Sequence, residues 1–184
     1  MRVFVALELP EEIKKEIEKI QKSLMAIASP ARWVKPKAAH LTLVFLGEIT
    51  PGKIPLLEKI LENATSKISP VNLWLNQIGC FPSPGKARII YLSLGGELGK
   101  LNALALKIRK GLKSQKIWFD KKPFTPHLTL GRLKKQQNLN QILQKIKISR
   151  IKFLGEKVSL IQSTLTPQGP VYKILASFEL KPKS

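Results

Sequence analysis

The segments KPKAAHLTLVFLG (35–47) and KPFTPHLTLGR (122–132) repeat the pattern KPxxxHLTL. Each segment holds one histidine, and the chain of 184 residues has only these two, His40 and His127. The second lies 87 residues after the first, close to half of the chain length. An internal duplication explains this spacing most simply, and it predicts two similar lobes that face each other across a groove. We expect both lobes to form one domain over residues 1–184.

Apolar periodicity places both motifs on strands that are flanked by amphipathic helices. The predicted strands cover residues 2–9, 39–47, 70–79, 87–94, 126–133, 150–164 and 171–180. The predicted helices cover residues 13–27, 50–64, 98–112 and 139–146. The segments SPARW (29–33) and TPQGP (166–170) are predicted as a loop and a turn, because they are rich in proline and glycine or short polar residues.

The repeated strand presents one imidazole and one hydroxyl on the same side. Residues i and i+2 of a strand point to one face, so His40 pairs with Thr42, and His127 pairs with Thr129. A neutral imidazole accepts a proton and a protonated imidazole donates one, and both states are accessible near neutral pH. Threonine hydroxyls donate hydrogen bonds to the non-bridging oxygens of a phosphate. The pattern therefore predicts acid/base chemistry on a phosphodiester.

Two other interpretations of the histidines compete with catalysis. A histidine on a strand is most often a packing or surface residue, and duplicated lobes share core signatures without sharing a function. Zinc catalysis usually needs three protein ligands, whereas neither motif contains an acid and Glu48 is the nearest one to His40. Two matching copies that use every histidine favour catalysis, and we expect no metal and no other cofactor.

The charge of the chain indicates a polyanionic partner. There are 32 Lys and Arg residues against 12 Asp and Glu, which gives a net charge of +20. Nucleic acid is the first partner to consider, because its phosphates supply the complementary charge. The basic residues are spread along the chain rather than gathered beside one apolar helix, which argues against a membrane surface. A lysine-rich, heat-adapted composition is the alternative, although such chains usually gain glutamate as well.

The single cysteine and the N-terminal segment indicate where in the cell the protein works. Cys80 is alone, so the chain forms no internal disulfide, and we expect it to be a buried, unreactive side chain. The apolar run at the start of MRVFVALELPEEIKK (1–15) is too short to span a bilayer and lacks the plan of a signal peptide. We therefore expect a soluble, cytoplasmic protein.

The two HxTx motifs, one in each half, resemble the signature of the 2H phosphoesterase superfamily. Within it, the chain resembles the bacterial and archaeal RNA 2′,3′-cyclic phosphodiesterases, also called 2′-5′ RNA ligases. The resemblance covers RVFVALELP (2–10), RWVKPKAAHLTLVFLGE (32–48), FTPHLTLGRL (124–133) and SLIQSTLTPQGPVYKIL (159–175). It implies an α+β fold with two antiparallel-rich sheets across a central cleft and helices packed outside. It also implies RNA ends as partners, with tRNA-derived ends among the candidates.

The resemblance implies a role for each motif residue. The reaction would hydrolyse a terminal 2′,3′-cyclic phosphate on RNA to a 2′-phosphate, with reversible 2′-5′ ligation at the same site. His40 would be the general acid that protonates O3′, and His127 would be the general base that activates water. The pseudo-symmetry leaves these two roles open to exchange. Thr42 and Thr129 would hold the phosphate.

The motifs extend to HxTxxF and HxTxxR, which here place Phe45 and Arg132 at matching positions. The resemblance implies that these two side chains sandwich the terminal base by stacking and cation–π attraction. Strict alternation along a strand predicts the opposite face for both, because their offset from the histidine is odd. Gly131 offers a break before Arg132, while Phe45 has no such break and is equally well interpreted as a core residue.

Further residues of the resemblance carry weaker expectations. Ser163 and Tyr172 match positions in the closing hairpin, and we expect Tyr172 to be a packing residue with a satisfied hydroxyl. Lys35 and Lys122, five residues before each histidine, would either guide RNA or lie in solvent. Two alternatives to the leading function remain: an RNA-end binding module without catalysis, and a sister enzyme acting on small cyclic nucleotides or 2′-5′ oligonucleotides.

Overall fold

Nine strands, four α helices and three short 3₁₀ helices account for the regular structure in a computed structural model that describes residues 1–28 and 31–181. The strands are β1 (Arg2–Glu8), β2 (Ala31–Trp33), β3 (His40–Glu48), β4 (Val71–Phe81), β5 (Ala87–Gly96), β6 (His127–Gln137), β7 (Lys152–Gly155), β8 (Lys157–Thr166) and β9 (Gly169–Glu179). The helices are α1 (Glu11–Met25), α2 (Ile54–Thr65), α3 (Leu98–Ser114) and α4 (Asn140–Gln144).

The strands form two antiparallel sheets, and each sheet contains one of the two HLTL strands. The first sheet has the order β3-β1-β8-β9, and the second has the order β2-β6-β5-β4-β7. Every strand pair in both sheets is antiparallel. The α+β class with two antiparallel sheets is therefore confirmed.

One continuous apolar core joins the two sheets. The leucines of both HLTL motifs belong to the same cluster of buried side chains, and none of them is more than 1% exposed: Leu41, Leu43, Leu128 and Leu130. Each fully buried leucine stabilises the fold by about 1.5–3 kcal/mol relative to an exposed one. These leucines thus fix which side of β3 and β6 faces the core. The two histidines lie on the opposite side of their strands.

Helix α1 reaches across from the first sheet to the second. Its buried stripe follows a helical repeat through Ile13, Ile17, Ile20 and Leu24. The side-chain amide of the buried Gln21 donates hydrogen bonds to the backbone oxygens of Val34 (2.7 Å) and Leu130 (2.9 Å). Gln21 of α1 therefore holds β6, the strand that begins at His127.

Several predicted boundaries differ from the structure, among them those of α1, of β2 and of the strand predicted over 150–164. Helix α1 ends at Met25, so Ile27 is not part of its buried stripe and is 43% exposed. Residues 31–33 of the predicted loop form β2 on the edge of the second sheet, while Ser29 and Pro30 lie outside the described residues. The predicted strand 150–164 is two strands, because the chain leaves the second sheet at Gly155 and enters the first at Lys157.

Candidate active site

Both histidines stand at the first residue of a strand and make the same backbone contact. Nδ1 of His40 lies 2.8 Å from the carbonyl oxygen of Ala38, and Nδ1 of His127 lies 2.6 Å from that of Thr125. A carbonyl oxygen only accepts, so each Nδ1 carries a proton and donates it. Nε2 is therefore the nitrogen on both rings that is left free to accept or release a proton.

A β-bulge follows the threonine of the first motif. Ala6 of β1 pairs with Thr42, but the next residue, Val5, pairs with Val44, so Leu43 is an extra residue in β3. Leu43 and Val44 are both 1% exposed, which shows that the alternation of sides is interrupted between them.

The second motif contains the same bulge at the equivalent position. Tyr91 of β5 pairs with Thr129 and its neighbour Ile90 pairs with Gly131, so Leu130 is the extra residue in β6. Leu130 and Gly131 are both buried. The two HLTL strands thus share the histidine contact, the register and the irregularity.

The two bulges explain why strict alternation along a strand misplaces Phe45 and Arg132. One extra residue changes the side of the residues directly after it, so the odd offset of Phe45 and Arg132 returns them to the side of the histidines. Phe45 is 49% exposed, and Arg132 is exposed. The interpretation of Phe45 as a core residue is therefore wrong. The break before Arg132 is real, but it is a bulge shared with the first motif.

Aromatic rings surround each imidazole. The ring centroid of His40 lies 4.7 Å from that of Phe4 and 5.2 Å from that of Tyr172. These contacts restrict the rotation of the ring and keep water from its sides. They also shift its acidity, because burial lowers the pKa of His40 below its usual value despite the opposing hydrogen bond to Ala38.

His127 has a matching pair of aromatic neighbours on the second sheet. Its ring centroid lies 5.1 Å from that of Phe81 and 5.6 Å from that of Tyr91, and both contacts are edge to face. Phe81 and Tyr91 stack on each other with 4.2 Å between centroids. Tyr91 also covers Gly79, where an added Cβ would lie 2.5 Å from the Tyr91 ring.

The acidity of Tyr172 depends on its burial and on charges from both sheets. Burial raises the pKa of Tyr172, while the charges of Arg132 and Arg2 oppose that rise. Arg132 belongs to β6 of the second sheet, and Arg2 belongs to β1 of the first. The ring that contacts His40 is thereby linked to the arginine of the second motif.

A cavity of about 330 Å³ opens beside His40 and Tyr172. Three lysines line it: Lys14, Lys35 and Lys37. Lys35 thus borders the cavity, as one of its two predicted roles requires. Lys122, the matching lysine of the second motif, is exposed and is not among the residues that line this cavity.

Several residues of the site carry no signal in the sequence. Strand pairing, which the sequence does not specify, brings three aromatic side chains against the histidines: Phe4, Phe81 and Tyr91. Tyr172 does pack, as expected, but it packs against His40, and no hydrogen bond of its hydroxyl is seen within the described residues. Glu8, the cross-strand partner of His40, accepts hydrogen bonds from the hydroxyls of two serines: Ser159 and Ser177.

The described residues show no metal-binding cluster, a buried cysteine and no membrane-spanning helix. Over residues 1–28 and 31–181, no three His, Cys, Asp or Glu side chains gather closely enough to hold a metal ion. Cys80 is 4% exposed, so its expected burial is confirmed, and that burial raises the pKa of its thiol to about 11. No helix within the described ranges is long and apolar enough to cross a bilayer.

Comparisons with known proteins agree on one family. The family profile described as LigT-like phosphoesterase matches residues 7–91 and 96–172. A curated relative from Archaeoglobus fulgidus, named RNA 2′,3′-cyclic phosphodiesterase, is 35% identical over 97% of this chain and 100% of its own length. A relative of the same name from Aquifex aeolicus is 32% identical over 98% of this chain and 97% of its own length.

Solved structures show the same fold. The crystal structure of a Thermus thermophilus protein superposes with a TM-score of 0.83 at 29% identity, covering 100% of both chains. Escherichia coli LigT in complex with 3′-AMP gives a TM-score of 0.74 at 23% identity, covering 97% of this chain and 96% of LigT. Because the family profile spans most of the sequence and both curated relatives exceed 30% identity over nearly their whole length, the chain belongs to the LigT-like phosphoesterases, the enzyme family of the 2H superfamily that its two HxTx motifs resemble.

Proposed function

We propose that the protein hydrolyses 2′,3′-cyclic phosphate ends of RNA to 2′-phosphate ends, using its two histidines and no metal ion. The observation that carries this proposal is the matched anchoring of His40 and His127. Both rings donate Nδ1–H to the carbonyl oxygen two residues earlier, and both hold Nε2 available for proton transfer. A pair of interchangeable imidazoles suits a reaction in which one proton is removed while another is supplied.

The proposed step uses one imidazole on each side of the phosphorus atom. Nε2 of His127 takes a proton from a water molecule, whose oxygen forms a bond to phosphorus. The bond between phosphorus and O3′ breaks, and Nε2–H of His40 gives its proton to the departing O3′. The products are a 2′-phosphate monoester and a 3′-hydroxyl, and the two histidines finish with exchanged protonation states.

The acid role requires a protonated His40, although burial lowers its pKa in the unoccupied protein. A phosphate bound beside the ring carries a negative charge and favours the imidazolium. Substrate binding would therefore raise the pKa of His40, so that the imidazole becomes protonated only when substrate is bound. The same pseudo-symmetric pair would serve ligation, in which a 5′-hydroxyl replaces water as the attacking group, the bond between phosphorus and O3′ breaks, and a 2′-5′ linkage forms.

The other motif residues bind the substrate in this proposal. Thr42 and Thr129 donate hydrogen bonds to the non-bridging phosphate oxygens, where negative charge accumulates. Phe45 and Arg132 hold the terminal base by stacking and cation–π attraction. Support comes from the two bulges, which turn both side chains to the side of the histidines.

The substrate class follows from the relatives and from charge. The curated relatives are named for action on RNA 2′,3′-cyclic phosphates. The net charge of +20 and the lysines beside the His40 cavity favour a polyanion with several phosphates over a single cyclic nucleotide. RNA ends, including tRNA-derived ends, are the proposed partners.

We further propose that residues 1–184 act as a single domain of two lobes. Support comes from the shared core and from the hydrogen bonds of Gln21, which tie α1 to the second sheet. Neither lobe would then form the site alone, because each supplies one histidine.

A single incubation tests the proposed function. An RNA hexamer ending in a 2′,3′-cyclic phosphate is treated with the protein in excess EDTA, and the product end is identified by mass spectrometry and phosphatase sensitivity. We expect a 2′-phosphate product. Loss of turnover in EDTA that is restored by a metal ion would contradict metal independence. Unchanged RNA that still binds the protein would support the binding-module alternative.

A further inference from the structure

Arg32 of β2 and Arg132 of β6 lie directly opposite each other on neighbouring antiparallel strands. Directly opposite residues point to the same face of a sheet, with about 4.5–5.5 Å between their Cβ atoms. Both side chains are exposed. Two like charges in this arrangement repel each other and lower the stability of the fold, so the pair gains from a negative charge bound beside it.

The neighbour of Arg32 on β2 shows which way the arginine points. The indole of Trp33 packs against the apolar core and covers Gly131 of β6, where an added Cβ would lie 2.8 Å from the ring. Gly131 is itself buried. Successive residues of a strand point to opposite sides, so Arg32 points away from the core. It therefore shares the side of the second sheet on which His127 and Arg132 lie.

Strand β2 is short, but hydrogen bonds on its far end hold it against β6. The backbone N–H of Val34 donates to the carbonyl oxygen of Leu130 at 2.9 Å. The side-chain amide of Gln21 donates to the carbonyl oxygens of both residues. The backbone that carries Arg32 is thus fixed before a ligand arrives, and binding costs mainly the rotational freedom of the arginine side chain.

The two guanidinium groups have no acidic partner in the part of the chain that the structure describes. Neither Arg32 nor Arg132 forms an ion pair within residues 1–28 and 31–181. On its other side Arg132 pairs with the uncharged Ile89 of β5, and the exposed Lys134 adds a further positive charge on β6. A guanidinium presents several N–H donors in a planar fork that matches the oxygens of a phosphate. The arginine pair is therefore suited to bind a phosphate group.

The position of Arg32 indicates which phosphate of an RNA end it meets. In the proposed function the cyclic phosphate lies between His40 and His127, and the terminal base stacks on Arg132. Neighbouring strands are about 4.8 Å apart, so Arg32 lies one strand spacing beyond the guanidinium that holds the base. The phosphate on the 5′ carbon of the same ribose is the next negative charge of the RNA, and it lies within one nucleotide of that base.

We propose that Arg32 binds the 5′-phosphate of the terminal nucleotide, which in RNA is the phosphodiester that joins this nucleotide to the rest of the strand. The bound phosphate also offsets the repulsion between Arg32 and Arg132. This inference rests on the proposed function, and it adds a substrate preference. The enzyme favours cyclic phosphate ends that carry a 5′-phosphate or a preceding nucleotide over a free nucleoside 2′,3′-cyclic phosphate.

The kinetic test uses two substrates that differ by one phosphate: adenosine 2′,3′-cyclic phosphate and the same molecule with a 5′-phosphate. We expect the wild-type protein to favour the 5′-phosphorylated substrate. Arg32→Ala should lower the ratio of kcat/KM for the 5′-phosphorylated over the unphosphorylated substrate about ten- to hundredfold, the effect of losing a hydrogen bond to a charged group. Arg32→Lys keeps the charge without the planar fork, so it should restore only part of the ratio.

Arg150→Ala is the matched control for the loss of one positive charge. Arg150 is exposed and lies two residues before β7, the strand at the opposite edge of the same sheet. Its guanidinium lies over the ring of Trp74, at 4.2 Å from the centroid. We expect Arg150→Ala to leave the substrate ratio unchanged. Urea unfolding confirms that each variant is folded.

A binding test gives a result that does not depend on turnover. Isothermal titration calorimetry compares adenosine 2′-phosphate with adenosine 2′,5′-bisphosphate, the proposed products of the two substrates. We expect the wild-type protein to bind the bisphosphate more tightly, and Arg32→Ala to lose about tenfold or more of that preference. Equal affinities in the wild-type protein, or a preference that survives in Arg32→Ala, would overturn the inference.

The outcomes separate this inference from the proposed function. If the wild-type protein hydrolyses neither substrate, the proposed function fails, and the calorimetry still decides whether Arg32 recognises the 5′-phosphate. If both substrates are hydrolysed and Arg32→Ala lowers kcat/KM equally for both, the proposed function stands and the 5′-phosphate site is overturned. An equal loss of the ratio in Arg150→Ala would likewise overturn it, because net charge alone would then explain the preference.

Discussion

The ring of Tyr172 meets the ring of His40 edge to face, with 5.2 Å between the centroids and 83° between the planes. Tyr172 belongs to β9 and His40 to β3, the two outer strands of the first sheet. The contact covers the imidazole and contributes to the burial that lowers its pKa. A residue near the C-terminus therefore tunes a group in the first motif.

Replacing Tyr172 should change the acidity of His40. Tyr172→Ala removes the covering ring, so the pKa of His40 should rise towards its usual value of about 6.5. Tyr172→Phe keeps the ring and should leave the pKa near that of the wild-type protein. Titration of the His40 ring signals by NMR measures both. A pKa that stays lowered in Tyr172→Ala would show that other groups bury the imidazole.

The lowered pKa of His40 also predicts how stability depends on pH. The unfolded chain binds a proton at His40 at a higher pH than the folded chain does, so acidification favours unfolding. The free energy of unfolding should therefore fall as the pH drops below about 6.5. His40→Gln removes this contribution, and its urea midpoint should depend less on pH between about 7.5 and 5 than the wild-type midpoint. Equal dependence in both proteins would contradict a buried, neutral His40.

The bulge in β3 predicts opposite phenotypes for two adjacent residues. Phe45→Ala should raise KM for an RNA hexamer about tenfold, since stacking on an aromatic ring contributes ~1–3 kcal/mol per base. Its cost in stability should stay below about 2 kcal/mol, because half of the ring is already exposed. Leu46→Ala, at a position that is 1% exposed, should lose about 2–5 kcal/mol of stability. Urea unfolding and steady-state kinetics on both variants check this, and a core-like loss of stability in Phe45→Ala would refute the bulge argument.

Gly79 should be needed for activity although it contacts no substrate. An added Cβ at Gly79 pushes on Tyr91, which is stacked on Phe81 and touches His127. We expect Gly79→Ala to lower kcat about ten- to hundredfold, because small displacements of a reacting group are costly. Gly99→Ala is the control, since nothing lies within 4 Å of its added Cβ. A Gly79→Ala variant with wild-type kcat would show that His127 does not depend on the Tyr91 ring.

The periodicity of apolar residues predicts the helices and strands correctly where one segment alone decides them. It does not predict the features that depend on how strands pair. Buried stripes in α1 and α3 and alternation in β3 and β6 follow from single segments, so they were visible in advance. The bulges were hidden, because Leu43 and Val44 are both apolar and only their partners on β1 show that one residue is extra. The alternation rule therefore misplaced Phe45.

The split between β7 and β8 was hidden for a related reason. Residues 150–164 are strand-like throughout, and only the sheet topology shows that the chain changes sheets at Glu156. The aromatic residues around the histidines were equally hidden. Phe4 and Tyr172 stand more than 150 residues apart, and they meet through the pairing of β1, β8 and β9.

The central claim is that one imidazole from each motif acts in the same proton exchange, and single and double variants test it directly. We predict that His40→Ala and His127→Ala each lower kcat on the cyclic phosphate hexamer at least about a hundredfold, as loss of general acid/base catalysis does. The double variant should be little worse than either single one, because the groups act as a unit. Circular dichroism and urea unfolding confirm that each variant folds. A folded single variant that turns over at the wild-type rate would contradict the account.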